Sequence, residues 1–218
     1  MTTLNHIAGL GLTPRNVFCI GRNYAEHAKE LGNAIPTEPV VFLKPTSALC
    51  GEETEIRLPA GSTRVDHEVE VVIAIGRGGW QIPESAALAH VAGYAIGIDV
   101  TWRDQQDKAK QKGLPWTVAK GLDTFAPLSQ FVRASEVGNP LDLPFSLKID
   151  GTLRQEGRTS GMLFSIPQLI AYLSTLFTLA PGDLIFTGTP SGVGPLQSGN
   201  RLEAELGAGL ARLQVRVK

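Results

Sequence analysis

The segment that most constrains the fold is residues 66–75, which read DHEVEVVIAI. From residue 69 onward almost every position is apolar and most are β-branched, so a strand formed here would be apolar on both faces. Strands of this kind occur where a sheet is covered on both sides. The pattern therefore predicts that Val69–Ile75 is a strand buried on both faces.

Two carboxylates lead into this strand. Side chains alternate across a strand, so Glu68 and Glu70 should share a face, about 6–7 Å apart. His67 should point to the other face, and we interpret it as a structural histidine. Two neighbouring buried carboxylates repel each other and lose hydration unless a positive group lies nearby.

A hard divalent cation would supply that positive charge, and oxygen ligands select Mg²⁺, Mn²⁺ or Ca²⁺. Asp99 is the candidate third ligand, because it ends the next apolar segment, where an acidic side chain has no packing purpose. The alternative is a solvated strand edge, with the two glutamates paired to Arg64 or to lysines elsewhere.

Charge and composition exclude several classes of protein. Lys and Arg number 20 against 21 Asp and Glu among 218 residues, which leaves a net charge of -1. Nucleic acids and anionic membrane surfaces both require a basic excess, so neither is an expected partner. With 43% hydrophobic residues, the chain can bury the core of a globular domain.

No segment predicts a membrane span or a secretory leader. The apolar region 166–186 is interrupted by Gln168, Pro181 and Asp183, so it cannot form one spanning helix of about 20 residues. The N-terminus lacks a basic segment followed by an apolar run. Cys19 and Cys50 show no CxxC spacing, which favours reduced thiols and a cytoplasmic location.

Periodicity and turn residues predict a β-rich chain with few helices. Strands are expected at 17–20, 40–43, 91–99, 145–149, 184–187, 202–205 and 210–217, and helices at 24–31, 101–112 and 166–176. Asn23 and Gly32 are the expected N-cap and C′ residues of the first helix. Asp150-Gly151 is predicted to form a hairpin turn. Because no repeat or linker interrupts the chain, we expect a single domain over residues 1–218.

Five further side chains are candidates for catalysis or for substrate binding. His27 and Glu30 lie three residues apart on a short helix, where a carboxylate beside an imidazole would fix its tautomer and raise its basicity. Arg103 and Gln106 have the same spacing and would bind a carboxylate. The ammonium of Lys120 would meet the charge that develops on an enolate oxygen. Solvated helix faces and a solvated lysine are the alternatives.

The glycine-rich loop 187–194 lacks the Lys-Ser/Thr pair of a nucleotide-binding P-loop. Its backbone N–H groups, with the Thr189 hydroxyl, would instead form an anion site. A tight turn without a ligand is the alternative. Arg22 and Lys44 are weaker candidates for the carboxylate end of a substrate.

Four further segments, together with HEVE, form an ordered set. They are GRNYAEH at 21–27, DVTWRDQQ at 99–106, PWTVAK at 115–120 and TGTPSGVG at 187–194. In this order and spacing the chain resembles the fumarylacetoacetate hydrolase family, and most closely its short, single-domain acylpyruvate hydrolase branch. The likeness extends from about residue 14 to residue 217. It implies an α+β, β-rich fold in which mixed sheets surround a central metal site, with a few peripheral helices, and it implies a homodimer.

The resemblance also assigns roles to individual residues. The family's metal ligands fall on Glu68, Glu70 and Asp99, and its water-positioning pair falls on His27 and Glu30. The family's active-site lysine falls at position 120. Independently of the resemblance, the first predicted helix is shorter than the roughly 12–15 residues that an isolated helix needs in water, so residues 22–32 would order over a bound substrate and act as a lid.

The function implied by the resemblance is that of a metal-dependent hydrolase. It would cleave a C–C bond of 2,4-diketo acids, such as acylpyruvates or fumarylpyruvate, to pyruvate and a carboxylic acid. The same site would equally stabilise the enolate of oxaloacetate, so decarboxylation and keto–enol tautomerisation are alternatives. A non-catalytic, metal-dependent dicarboxylate-binding protein is the alternative from another class.

Overall fold

The computed structural model describes residues 6–30, 32, 34–52 and 54–218. The strands in chain order are β1 (Val17–Gly21), β2 (Val40–Lys44), β3 (Leu49–Cys50), β4 (Val65–His67), β5 (Val69–Ile75), β6 (Val91–Ile98), β7 (Thr101–Trp102), β8 (Ala126–Pro127), β9 (Val132–Arg133), β10 (Pro144–Ile149), β11 (Thr152–Arg158), β12 (Leu184–Phe186), β13 (Gly194–Pro195), β14 (Arg201–Leu206) and β15 (Ala211–Arg216). The helices are α1 (Ala25–Glu30), α2 (Arg103–Lys112), α3 (Thr117–Lys120) and α4 (Ile166–Leu176). The fold is α+β and rich in strands, as expected.

The strands of the described chain form one mixed sheet, two antiparallel sheets and one parallel pair. The largest sheet has the order β2-β1-β12-β5-β6-β9, in which β1 and β12 are parallel and the other neighbours are antiparallel. A second, antiparallel sheet has the order β11-β10-β14-β15. Two smaller sheets combine β13-β4-β7 and β3-β8.

Strand β5 lies in the middle of the largest sheet, and every one of its residues is buried. Val69, Val71 and Ile73 pack into the main hydrophobic cluster, which includes α4 and the second sheet. Val72 and Ala74 pack into a second cluster on the opposite face. The predicted strand buried on both faces is therefore confirmed, with the predicted bounds.

The local signals for α4 and for one hairpin turn are also confirmed. Ser165 and Gln168 form a capping box at the start of α4, and the helix ends where predicted, at Leu176. Asp150 and Gly151 join β10 to β11 with φ values of 51° and 76°. These positive φ values are typical of two-residue hairpin turns.

The start of α1 differs from the sequence-based expectation. The helix begins at Ala25, and residue 31, its predicted last residue, lies outside the described residues. Asn23 does not cap the helix, because its side chain is used in tertiary contacts. Its amide accepts a hydrogen bond from the Phe164 N–H (2.8 Å) and donates to the carbonyl oxygens of Phe164 (3.0 Å) and Thr187 (2.8 Å).

The start of α2 also differs, since Thr101 and Trp102 form strand β7 and pair with β4. The helix therefore begins at Arg103. In the part of the chain that the structure describes, no helix combines the length and the apolar character that crossing a bilayer requires.

Candidate active site

The three predicted metal ligands converge at one end of β5. Glu68, Glu70 and Asp99 are buried, and each offers a carboxylate oxygen within 4.8 Å of the others. Glu68 directly precedes β5, Glu70 is the second residue of β5, and Asp99 directly follows β6. The Asp99 N–H donates to the Glu68 carbonyl oxygen (2.8 Å), which continues the β5–β6 pairing. The strand register therefore brings the acidic residues together.

Buried cations surround Glu68. Its Oε1 accepts a hydrogen bond from Arg103 Nη2 (2.6 Å), and its Oε2 accepts one from Lys120 Nζ (2.8 Å). Burial alone would raise the pKa of Glu68, but Lys120 and Arg103 hold it well below its ordinary value. The expected alternative of a solvated strand edge is wrong, because Glu68 and Glu70 are only 5% and 2% exposed, although its pairing of a glutamate with a distant lysine does occur, between Glu68 and Lys120. Arg64 pairs instead with Asp66.

Two buried lysines lie beside Asp99. Lys120 Nζ donates to its Oδ2, whereas Oδ1 is buried and accepts no hydrogen bond among the described residues. Lys44 Nζ forms an ion pair with this Oδ1 at 2.7 Å and donates to the carbonyl oxygens of Val100, Lys120 and Phe125. The side chain of Lys44 is fully buried behind Asp99 and does not line the cavity described below.

Glu70 is held by the loop that follows β12. Its Oε2 accepts a hydrogen bond from the Gly188 N–H at 2.7 Å. Gly188 has a φ of 100°, and a Cβ there would lie 2.6 Å from the Cβ of Asn23, so only glycine fits this position. Burial raises the pKa of Glu70 well above its ordinary value, and Asp99 and Glu68 raise it further.

These observations fit a hard divalent cation. Asp99 Oδ1 accepts no hydrogen bond among the described residues, and the negative charges of Asp99 and Glu68 add to burial in raising the pKa of Glu70, so a cation bound between these carboxylates would be favoured. Three carboxylates with converging oxygens are the ligand set that Mg²⁺, Mn²⁺ and Ca²⁺ prefer.

His27 and Glu30 form the predicted pair on α1. His27 Nδ1 lies 3.4 Å from Glu30 Oε2, and His27 is buried. Burial lowers the pKa of His27, while Glu68 and the hydrogen bond to Glu30 act in the opposite direction. Glu30 also accepts hydrogen bonds from the Gly192 N–H at 3.1 and 3.2 Å, which joins α1 to the 187–194 loop.

Gln155 on β11 orients Thr189. It was not among the site residues predicted from the sequence. Its Nε2 donates to Thr189 Oγ1 (2.8 Å) and to the Pro190 carbonyl oxygen (2.9 Å). Its Oε1 accepts from the Val69 N–H (3.0 Å) and pairs with His67 Nδ1 (3.0 Å). These contacts agree with a structural role for His67. No local pattern marks Gln155, because all its partners are distant in sequence.

Arg103 and Gln106 share a face of α2, but the guanidinium binds groups of the protein itself. Nη1 donates to Gln106 Oε1 (2.6 Å), and Nε donates to Asp66 Oδ2 (2.8 Å). Asp66 also accepts from Arg64 Nε (2.9 Å). The sequence analysis missed Asp66, although the alternation that pairs the two glutamates places Asp66 on the same face.

A small cavity of about 30 Å³ lies between α2 and the acidic cluster. Its lining includes Gly21, Arg22, His27, Phe42, Glu68, Glu70, Asp99, Arg103, Gln106, Lys110, Trp116, Lys120 and Thr189. Lys110 was also missed, although it lies seven residues after Arg103 and four after Gln106, on the same helix face. A larger groove of about 680 Å³, which includes Arg57 and Arg216, contains none of the candidate residues. The grouped ionisable side chains, rather than volume, identify the smaller cavity as the candidate site.

Comparison with known proteins agrees with this arrangement. Residues 16–218 match the family described as fumarylacetoacetate (FAA) hydrolase, C-terminal. The chain is 48% identical over 202 residues to the mitochondrial oxaloacetate tautomerase FAHD1 of Arabidopsis thaliana, covering 93% of this chain and 90% of that relative. The mouse (Mus musculus) protein of the same name is 46% identical over 204 residues, covering 94% and 92%.

The fold also matches a solved structure. The crystal structure of fumarylpyruvate hydrolase from Pseudomonas aeruginosa, in complex with Mn²⁺ and pyruvate, superposes with a TM-score of 0.91. The two sequences are 40% identical, and the match covers 97% of this chain and 93% of that one. The resemblance carried by the ordered motifs is confirmed, and this chain belongs to the fumarylacetoacetate hydrolase family.

Proposed function

We propose that this protein is a metal-dependent enzyme that interconverts the keto and enol forms of oxaloacetate. The observation that carries the proposal is that one cavity is lined by both His27, which contacts Glu30 on α1, and the three convergent carboxylates. The identities of 46% and 48% to proteins named oxaloacetate tautomerase support this choice.

Hydrolysis of 2,4-diketo acids such as fumarylpyruvate is the second candidate, and the match to the Pseudomonas aeruginosa fumarylpyruvate hydrolase supports it. Identities of 46% and 48% to proteins named oxaloacetate tautomerase, against 40% to this hydrolase, favour tautomerisation.

The acidic cluster would hold Mg²⁺, Mn²⁺ or Ca²⁺ through Glu68, Glu70 and Asp99, and the ion would act as a Lewis acid toward the oxygens of a 2-oxo acid. Lys44 offsets the charge of Asp99, and Arg103 offsets the charge of Glu68. Because their donors are already engaged by the protein, we assign both cations to charge balance.

His27 is the proposed base. If Nδ1 donates to Glu30, Nε2 carries a lone pair and can accept the proton from C3 of oxaloacetate. The same nitrogen then returns the proton to the C2 oxygen, which completes the enol. The burial that lowers the pKa of His27 keeps the imidazole neutral and ready to accept the proton.

Lys120 would stabilise the negative charge that develops on the substrate oxygen. Two of its three N–H groups donate to Glu68 and Asp99, which leaves one for the substrate. Charge stabilisation by a preorganised donor of this kind is a large contribution to catalysis in many enzymes.

Gln106 and Thr189 are the proposed donors to the carboxylate next to the reacting carbonyl. Arg103 donates to Gln106 Oε1, which leaves the Gln106 amide N–H groups available as donors. Gln155 donates to Thr189 Oγ1, which leaves the hydroxyl hydrogen available in the same way. Both side chains are buried and line the cavity.

The remaining expectations are part of the proposal. We propose that residues 22–32 act as a lid, since the cavity is too small to admit a substrate unless the surrounding elements move. A single catalytic domain, a homodimer and a cytoplasmic location also stay predictions. The relatives from mouse and Arabidopsis are named mitochondrial proteins.

The test follows three signals with Mg²⁺ or Mn²⁺ present. Oxaloacetate is assayed for enol loss and for CO₂ release, and fumarylpyruvate is assayed for pyruvate formation. We expect the protein to accelerate enol–keto exchange without releasing CO₂. Fumarylpyruvate cleavage without exchange would make hydrolysis the function, and protein-dependent CO₂ release would indicate a decarboxylase.

The His27→Ala variant separates an enzyme from a binding protein. It should lose turnover while it still binds oxalate, because His27 has no part in the acidic cluster. A wild-type protein that binds oxalate but accelerates none of the three reactions would be the non-catalytic dicarboxylate-binding protein.

A further inference from the structure

Two cationic side chains at the cavity lack the carboxylate partners that the other cations have. Lys44, Arg103 and Lys120 each lie within 2.8 Å of a buried carboxylate oxygen. Arg22 and Lys110 are half-buried and line the same cavity, yet neither forms an ion pair within 4.0 Å among residues 6–30, 32, 34–52 and 54–218. A half-buried cation without a counter-charge is costly unless a ligand supplies one.

Lys110 is held at the cavity by α2 and by an aromatic ring. It follows Arg103 and Gln106 on the face of α2 that lines the cavity. Its Nζ lies 5.7 Å from the ring centroid of Trp116. This contact positions the ammonium without neutralising it. Burial and the nearby Arg103 lower the pKa of Lys110, whereas Asp107 and Glu68 raise it.

Arg22 follows β1 with a φ of 59°. This left-handed conformation is unfavourable for a residue other than glycine, and such conformations collect at ligand-binding sites. Arg22 and Lys110 lie close enough that the charge of Arg22 also lowers the pKa of Lys110. Two like charges therefore line one cavity, and in the described part of the chain neither is paired with a carboxylate within 4.0 Å.

The charge balance of the site favours a dianionic substrate. Four buried carboxylates, those of Asp66, Glu68, Glu70 and Asp99, face three buried cations, and a divalent cation would bring this group to one net positive charge. Arg22 and Lys110 add two more positive charges. A monoanionic 2-oxo acid would leave two of the three positive charges unbalanced, and a dianion would leave one.

From these contacts we propose that Arg22 and Lys110 form a second anion subsite, which binds the distal carboxylate of a dicarboxylic 2-oxo acid and selects it over a monocarboxylic one. The inference rests on the proposed function and extends it to the substrate class. Gln106 and Thr189 would hold the near carboxylate, and the subsite would hold the far one. Charge-assisted hydrogen bonds from an ammonium and a guanidinium suit a carboxylate.

The test uses two non-reacting acids that differ only at the far end. Malate and 2-hydroxybutanoate share the 2-hydroxy acid group, but malate ends in a carboxylate and 2-hydroxybutanoate ends in a methyl group. Their affinities are measured by titration calorimetry with Mg²⁺ present. We expect the wild-type protein to prefer malate, and Lys110→Met to weaken malate binding roughly 10- to 100-fold. Binding of 2-hydroxybutanoate should change by less than about twofold.

Matched variants complete the test. Arg22→Met should act in the same direction as Lys110→Met, Lys110→Arg should keep the preference, and Lys112→Met, on the exposed side of the same helix, should match the wild type. If Lys110 has only a structural role, its loss would weaken both acids equally and lower thermal stability, and the subsite would be refuted. If Lys110→Met does not fold, Arg22→Met and Lys110→Arg decide the outcome by the same comparison.

Failure of the subsite and failure of the proposed function would give different results. Equal binding of both acids by an active wild-type protein would overturn the subsite and leave the proposed function intact. A wild-type protein that is inactive on all 2-oxo acids and binds neither hydroxy acid would overturn the proposed function, and the subsite with it.

Discussion

Lys120 Nζ lies 2.6 Å from Asp99 Oδ2, so a buried ammonium is bonded directly to one of the three carboxylates that would hold a metal. Burial alone would lower the pKa of Lys120, but Asp99 and Glu68 raise it above its ordinary value. The lysine therefore stays charged. It links the acidic cluster to the position where the substrate would acquire negative charge.

Replacing Lys120 by Met should lower kcat by about 100- to 1,000-fold, the usual effect of removing one donor to a developing oxyanion. Because the change also leaves a buried carboxylate pair without its ammonium, we expect a loss of about 3–5 kcal/mol in the free energy of unfolding. Enol–keto exchange and thermal unfolding measure the two effects. Lys108→Met, on the exposed side of α2, is the matched control. A Lys120→Met variant with nearly full activity would contradict the assigned role.

Metal binding should stabilise the fold. A ligand at 100 times its Kd contributes about 2.7 kcal/mol, which for a chain of this size corresponds to a rise in Tm of about 5–10 °C. Addition of Mg²⁺ or Mn²⁺ during thermal unfolding measures the rise, and EDTA should reverse it. Glu70→Gln should abolish the rise, whereas Glu156→Gln, an exposed change on β11, should preserve it. An unchanged shift in Glu70→Gln would remove Glu70 from the ligand set.

The pH dependence should reflect His27. Burial lowers its pKa below the ordinary value, and the neutral imidazole is the active form of a base. The acid limb of kcat/KM should therefore lie below the pKa of an ordinary histidine, about 6.5. Glu30→Gln removes a contact that raises this pKa, so the limb should shift to lower pH while the plateau rate falls. Rate profiles of both proteins measure the shift, and a movement to higher pH would be inconsistent with the assignment.

The ability of the Thr189 hydroxyl to donate to the substrate should depend on Gln155. In Gln155→Glu an acceptor replaces the N–H donor, so the Thr189 hydroxyl would turn toward residue 155 and be lost to the substrate. We expect KM to rise about tenfold, which is the effect of one hydrogen bond of about 1–1.5 kcal/mol. Thr189→Val should have a similar effect, and the double variant should be no worse than either single one. Additive effects would show that the two residues act separately.

Local periodicity accounts for the elements that were predicted with correct bounds. Val69–Ile75 is defined by its apolar pattern. Ile166–Leu176 is defined by its apolar pattern and by the capping residue Ser165 directly before it. The acidic cluster could also be predicted from the sequence, because alternation along a strand places Glu68 and Glu70 on one face. Asp99 joins them only through the pairing of two consecutive strands, β5 and β6, a short-range connection that is common in sheets.

The sequence by itself determined which residues are acidic, which faces of a strand or helix they share, and, through ordered motifs, the family. Only the tertiary structure decided which cation meets which carboxylate. Lys44 reaches Asp99 because β2 pairs with β1, which in turn lies beside β12, and Gln155 reaches Thr189 across two sheets. Such contacts depend on pairings between segments far apart in the chain, and no local period encodes them.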